Sequence, residues 1–120
     1  MSNQIFYLQL DQMIVIHDIQ IKRHGGSAGI RDNALLESAL YRPQASYGGS
    51  DLYQSVFDKA AVLMHSVILN HPFIDGNKRT GMFSGILFLE RNGVKLNLTS
   101  EKIETAALNI ANKKWDVAEI

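Results

Sequence analysis

The sequence predicts an all-α fold: a compact helical bundle with one buried helix at its centre and little or no sheet. Three observations predict it. Apolar residues recur three and four apart in successive segments, the spacing of one helix face. Residues that start and stop helices bracket those segments. The stretch Met82-Phe83-Ser84-Gly85-Ile86-Leu87-Phe88-Leu89 is apolar nearly all round, the mark of a helix enclosed by others.

The first helix is expected from Leu10 to Arg23, with Met13, Ile14, Ile16, Ile19 and Ile21 as its apolar set and Gly25-Gly26 as its stop. The second runs from Asp32, an N-cap residue, to Tyr41, and Arg42-Pro43 ends it. Gln44 to Gly49 is small and polar and reads as a loop. Ser50 or Asp51 is expected to cap a long third helix that reaches Asn70 through Val56, Ala60, Ala61, Met64, Val67 and Ile68. His71-Pro72 interrupts it, and Phe73 to Asn77 forms a tight connection. The central helix then starts near Lys78 and ends at Asn92-Gly93. Its Gly81 and Gly85 lie at helical spacing and permit close packing of a neighbour. Val94 to Leu98 is a short strand or an extended link. Thr99 or Ser100 caps a helix to about Asn112, and Val117 to Ile120 begins a last one.

One domain of 120 residues is long enough to bury a core without disulfides or a structural metal. The absence of cysteine excludes a disulfide scaffold, a thiolate zinc site and a cysteine nucleophile. Twelve basic residues balance twelve acidic ones, so the chain lacks the field of a general DNA-binding protein, and no direct nucleic-acid binding is expected. No run of about twenty apolar residues suggests a membrane span. Met1-Ser2-Asn3-Gln4 does not open a signal peptide. The expected compartment is the cytoplasm.

The chemistry concentrates in His71-Pro72-Phe73-Ile74-Asp75-Gly76-Asn77-Lys78-Arg79. Lys78 and Arg79 stand in the first turn of a helix, where the macrodipole is positive and cations are disfavoured. An anion would resolve the conflict. Gly76 lets backbone N–H groups approach a ligand, Asn77 adds a neutral donor, and the set makes a phosphate-sized cradle. Asp75 is the odd acid; beside a phosphate it suits magnesium, although its spacing also suits an N-cap. The imidazole of His71 can accept a proton from an attacking hydroxyl. Phe73 reads as the anchor that packs the loop on the core. Taken singly, each residue has an ordinary structural reading; their coincidence is what points to a site. His17, His24 and His65 read as structural, since no cysteine or glutamate completes a zinc set. P-loop spacing is absent.

These nine residues resemble the signature of the Fic/Doc family, His-x-Phe-x-Asp/Glu-Gly/Ala-Asn-x-Arg, and match it at every specified position. Gly29-Ile30-Arg31-Asp32, Leu35-Leu36-Glu37-Ser38-Ala39-Leu40, Arg42-Pro43-Gln44 and Leu87-Phe88-Leu89-Glu90-Arg91-Asn92-Gly93 are similar to the Doc ("death on curing") branch. The resemblance implies an all-α fold and transfer from a nucleotide, ATP or another triphosphate, to a protein hydroxyl. It implies His71 as general base and Asp75 as the Mg²⁺ ligand. Gly76 and Asn77 would hold phosphate oxygens, and Lys78 and Arg79 would neutralise phosphate charge. Gln44, Ala45, Ser46, Tyr47, Gly48 and Gly49 would form the flap that pins the target segment by backbone pairing. The implied role is a toxin of a toxin–antitoxin module, restrained by a cognate antitoxin and acting on a protein such as a translation factor.

Two departures bear on the reaction. AMP-transferring members carry a second arginine three residues after Arg79, where this chain has Met82. That favours phosphoryl transfer, while Gly76, typical of the AMP-transferring branch, keeps AMPylation as the alternative. A catalytically weak nucleotide- or partner-binding scaffold is the alternative of another class. The family's inhibitory motif, Ser/Thr-x-x-x-Glu-Gly/Asn, is incomplete: Ser100 and Glu104 have the spacing, but Thr105 follows.

Overall fold

The computed structural model of the protein describes residues 4–112 and residue 120. Among these the order is α1 (Leu10–His24), α2 (Asn33–Tyr41), a 3-10 turn (Arg42–Gln44), β1 (Ser46–Tyr47), β2 (Ser50–Asp51), α3 (Val56–Asn70), α4 (Asn77–Arg91) and α5 (Ser100–Ala111). The expected all-α bundle is present, and the only sheet among the described residues is one small hairpin.

The centre is a pair of helices rather than one. α3 buries nine residues and α4 eight, and each is covered by the other. Glycine makes that approach possible. A Cβ on Gly81 would stand 2.7 Å from Ile68 Cγ1 and 3.3 Å from the Met64 carbonyl oxygen, and one on Gly85 would collide with the Met64 side chain. One apolar cluster joins Met13, Leu36, Leu63, Val67, Phe73 and Phe88 across α1 to α4. A second joins Met64, Ile68, Met82, Ala107 and Ile110 between α3, α4 and α5. Asn92 ties the chain before α1 to the end of α4: its Oδ1 accepts from Phe6 N (2.9 Å) and its Nδ2 donates to Phe6 O (3.0 Å).

The helix starts follow local chemistry. Asp32 accepts from Leu35 N at 3.0 Å and caps α2, and Thr99 accepts from Lys102 N at 3.2 Å and caps α5. The start of α3 differs from expectation. Ser55, not Ser50 or Asp51, caps it, accepting from Asp58 N at 3.0 Å. Ser50 and Asp51 form β2, which pairs antiparallel with β1 in the register Ser46 with Asp51 and Tyr47 with Ser50. The physical reason is Gly48-Gly49, both at positive φ (61° and 83°), as a tight hairpin turn requires. Residues 94–98 form a link that belongs to neither helix nor strand. The last helix expected at Val117 to Ile120 lies outside the described residues except for Ile120, which packs on the second cluster.

A buried lysine and a half-buried arginine fasten the hairpin and the turn before it to α3. Lys59 is fully buried, and its Nζ donates to Pro43 O (3.0 Å), before the hairpin, and to Asp51 Oδ2 (3.1 Å), within it. Burial alone pushes the Lys59 pKa down. Hydrogen bonds and charge from Tyr7 and Asp51 outweigh it, so the pKa lies above the ordinary lysine value. Arg42 donates to Ser66 Oγ at 2.9 Å.

Candidate active site

Pro72 supplies no N–H and disfavours the α conformation for the residue before it, so α3 stops at Asn70. His71 adopts left-handed backbone, φ 49° and ψ 59°, alone among the described non-glycine residues. Its side chain is exposed. Beyond it the chain dives: Phe73 is 1 % exposed and its ring lies flat on that of buried His17. His17 Nε2 lies 2.7 Å from the Asp75 carbonyl oxygen. A carbonyl only accepts, so this nitrogen carries the proton.

Asn77 closes the loop. Its Oδ1 accepts from Phe73 N and its Nδ2 donates to Phe73 O, both at 2.9 Å and both buried. The side chain expected to face a phosphate oxygen is therefore bonded within the loop, and Asn77 opens α4. Asp75 is not the N-cap of α4; Gly76 is, at φ 75°. The Asp75 carboxylate instead accepts from Gly76 N (2.9 Å) and from Ser27 N (3.2 Å). A Cβ on Gly76 would stand 3.1 Å from Ile21 Cδ1, so glycine here answers both the backbone and the close approach of α1.

At the start of α4 the backbone N–H groups of Asn77, Lys78 and Arg79 have no intrahelical acceptor. Lys78 is exposed and makes no ion pair among the described residues. Arg79 meets Glu104 of α5 at 3.8 Å, with the Glu104 side chain mostly and the Arg79 side chain partly in water. Such a pair is weak and exchangeable.

These groups share a groove of about 740 Å³, within the range of small-molecule sites. The loop from His71 through Arg79 forms one wall, except that Pro72 and Phe73 are buried and do not line it. Gln20, Ile21 and His24 of α1 form a second wall, and Ile103, Glu104 and Leu108 of α5 a third. Met82 and Phe83 supply apolar surface between them. The structure thus brings together His71, Asp75, Gly76, Asn77, Lys78 and Arg79. It leaves the hairpin, with Gln44, Ala45, Ser46, Tyr47, Gly48 and Gly49, off the groove walls. Gln20, His24, Ile103 and Leu108 carry no sequence signal for this site; only the fold brings them there.

Fold and site define an all-α domain built on a histidine loop that opens onto a helix start bearing free amides and two cations. The family model described as the Fic/DOC family matches residues 7–89. The chain is 39 % identical over 98 residues to the protein named Toxin Doc of Mycolicibacterium smegmatis, covering 80 % of this chain and 75 % of that one. It is 33 % identical over 90 residues to Protein kinase doc of Escherichia phage P1, covering 75 % and 71 %. The chain belongs to the Fic/DOC family, on its Doc branch.

Proposed function

We propose that the chain is a Doc-type toxin that moves the γ-phosphoryl group of ATP, or another nucleoside triphosphate, to a hydroxyl of a target protein. The observation that carries this reading is convergence. His71, Asp75, three unbonded amides and the side chains of Lys78 and Arg79 border one groove. The triphosphate end would lie on the start of α4, its oxygens accepting from those amides and from both cations. The target hydroxyl enters beside His71. Its oxygen bonds to the γ-phosphorus while His71 takes its proton, the bond to the β,γ-bridging oxygen breaks, and the nucleoside diphosphate leaves.

Asp75 fits a magnesium ion arriving with the nucleotide. Each of its oxygens takes one N–H and keeps a free lone pair. No group of three ligating side chains occurs among the described residues, so phosphate oxygens and water would complete the shell, as magnesium commonly has it. The ion would neutralise charge on the phosphate oxygens. The hairpin would hold the target: β1 pairs with β2 on one edge and with no strand on the other among the described residues.

Met82 favours phosphoryl over AMP transfer. It is 5 % exposed and packs with Met64, Ile68, Ala107 and Ile110, so no cation stands where AMP-transferring members have arginine. The name of the phage P1 relative, Protein kinase doc, points the same way. The name Toxin Doc also supports a cognate antitoxin, whose tail would fold on binding. The target would be a cytoplasmic protein such as a translation factor. No helix among the described residues is long and apolar enough to cross a membrane.

The test is incubation with γ-labelled or α-labelled ATP in a bacterial lysate. Label on a protein from the γ position only, lost in His71→Ala, is the expected result. Label from the α position only would replace the kinase reading by AMPylation. ATP binding without any transfer would leave the scaffold reading.

A further inference from the structure

His71 sits where backbone chemistry cannot hold it. The last carbonyls of a helix lack intrahelical partners, and a left-handed cap usually satisfies them with N–H groups of the following residues. Here the following residue is Pro72, which has none. A guanidinium forty residues away supplies the missing donors. Arg31 Nε donates to His71 O at 2.6 Å and Nη2 donates to Asn70 O at 2.7 Å. Both are short, charge-assisted bonds, and the cation lies at the negative end of the α3 dipole.

The geometry does more than satisfy acceptors. The Asn70 carbonyl belongs to the peptide plane before the His71 Cα, and the His71 carbonyl to the plane after it. Rotation of these planes about Cα is φ and ψ. One rigid planar fork bonded to both carbonyls therefore fixes both torsions, and with them the direction of Cα–Cβ. The main chain around Arg31 reinforces the clamp: Arg31 N and Asp32 N both donate to Pro72 O (2.7 and 3.0 Å), and Ile74 N donates to Gly29 O (3.1 Å).

We infer that Arg31 is a positioning residue that sets the left-handed backbone of His71 and thereby aims its imidazole into the groove. The inference rests on the proposed reaction for its consequence in rate, and on the fork alone for its consequence in conformation. Arg31 does not line the groove, so nucleotide affinity does not depend on it.

The experiment compares the parent chain with Arg31→Ala and Arg31→Lys. Lysine keeps the charge but cannot hold two carbonyls in one plane. In Arg31→Ala the rate at saturating ATP falls on the order of ten- to a hundredfold, the cost of misaiming a reacting group by about an ångström. Calorimetric ATP affinity stays within about twofold. Arg31→Lys falls between, and millimolar methylguanidinium restores part of the Arg31→Ala rate. The His71 Cα and Cβ chemical shifts, left-handed in the parent, move toward other backbone regions in Arg31→Ala. Left-handed shifts with an unchanged rate in folded Arg31→Ala would overturn the inference. So would a loss of ATP affinity equal to the loss of rate. If Arg31→Ala does not fold, Arg31→Lys decides by the same readouts. If the parent itself transfers nothing, the proposed reaction fails and the chemical shifts alone decide the role of Arg31.

Discussion

The rings of His17 and Phe73 lie 3.9 Å apart between centroids and 6° from parallel. One comes from α1 and the other from the histidine loop, so this stack is where the loop is fastened to the core. Removing either ring unseats the loop. Phe73→Ala is expected to cost about 3–5 kcal/mol of stability, the range for a buried phenylalanine. His17→Leu leaves the Asp75 carbonyl without its donor and costs about 1–3 kcal/mol. Denaturant unfolding of both variants measures this; a loss below about 1 kcal/mol for Phe73→Ala would contradict the anchoring role.

Asn77 makes a prediction that separates structure from ligand contact. Asn77→Ala strands the N–H and C=O of Phe73 in a buried place and is expected to destabilise by about 2–4 kcal/mol. Asn77→Asp keeps the acceptor and loses the donor, so it falls between. A stable Asn77→Ala that merely loses ATP affinity would show that the side chain serves the nucleotide instead.

Glu104 faces Arg79 across the groove, where the proposed triphosphate would bring further negative charge. Glu104→Gln is expected to tighten ATP binding about two- to fivefold at low salt. The gain shrinks as ionic strength rises. Calorimetric titration at two salt concentrations reads it; weaker binding would mean that Glu104 orders Arg79 for the ligand.

Lys59 gives a pH prediction. Its pKa is raised in the folded protein, so the stability it contributes is complete below the unfolded lysine value, about 10.4, and fades as pH rises through the higher folded value. Hydrogen exchange at the hairpin amides, corrected for intrinsic rates, should be flat through neutral pH and accelerate only in that alkaline range. Lys59→Met leaves the Pro43 carbonyl and Asp51 unpartnered, so it should loosen the hairpin at neutral pH already, while ATP affinity is retained.

Much of the fold is legible because its signals are local. Asp32 and Thr99 cap helices where their side chains suit an N-cap, and Gly81 and Gly85 announce the close contact of α4 with α3. The start of α3 is not legible. Ser50-Asp51 looks like a cap, but Asp51 is drawn to a lysine buried eight residues on, and Gly48-Gly49 folds the chain back first. The buried stripe of α1, Met13, Ile16, His17 and Gln20, is half polar, so apolar periodicity misreads it; Val15 and Ile19 face water. The candidate site divides the same way. Its loop is contiguous and can be read from its own residues, whereas its other walls and Arg31 are distant in sequence and joined by tertiary contacts alone.

The left-handed backbone of His71 also governs how a variant lacking the proposed general base should be made. Asparagine and aspartate tolerate that conformation far better than alanine, whose Cβ crowds the following carbonyl at about 1–2 kcal/mol. His71→Asn removes the imidazole yet keeps a residue at home in the bend. It is therefore the better bait for isolating bound partners from cells that the unaltered chain would harm.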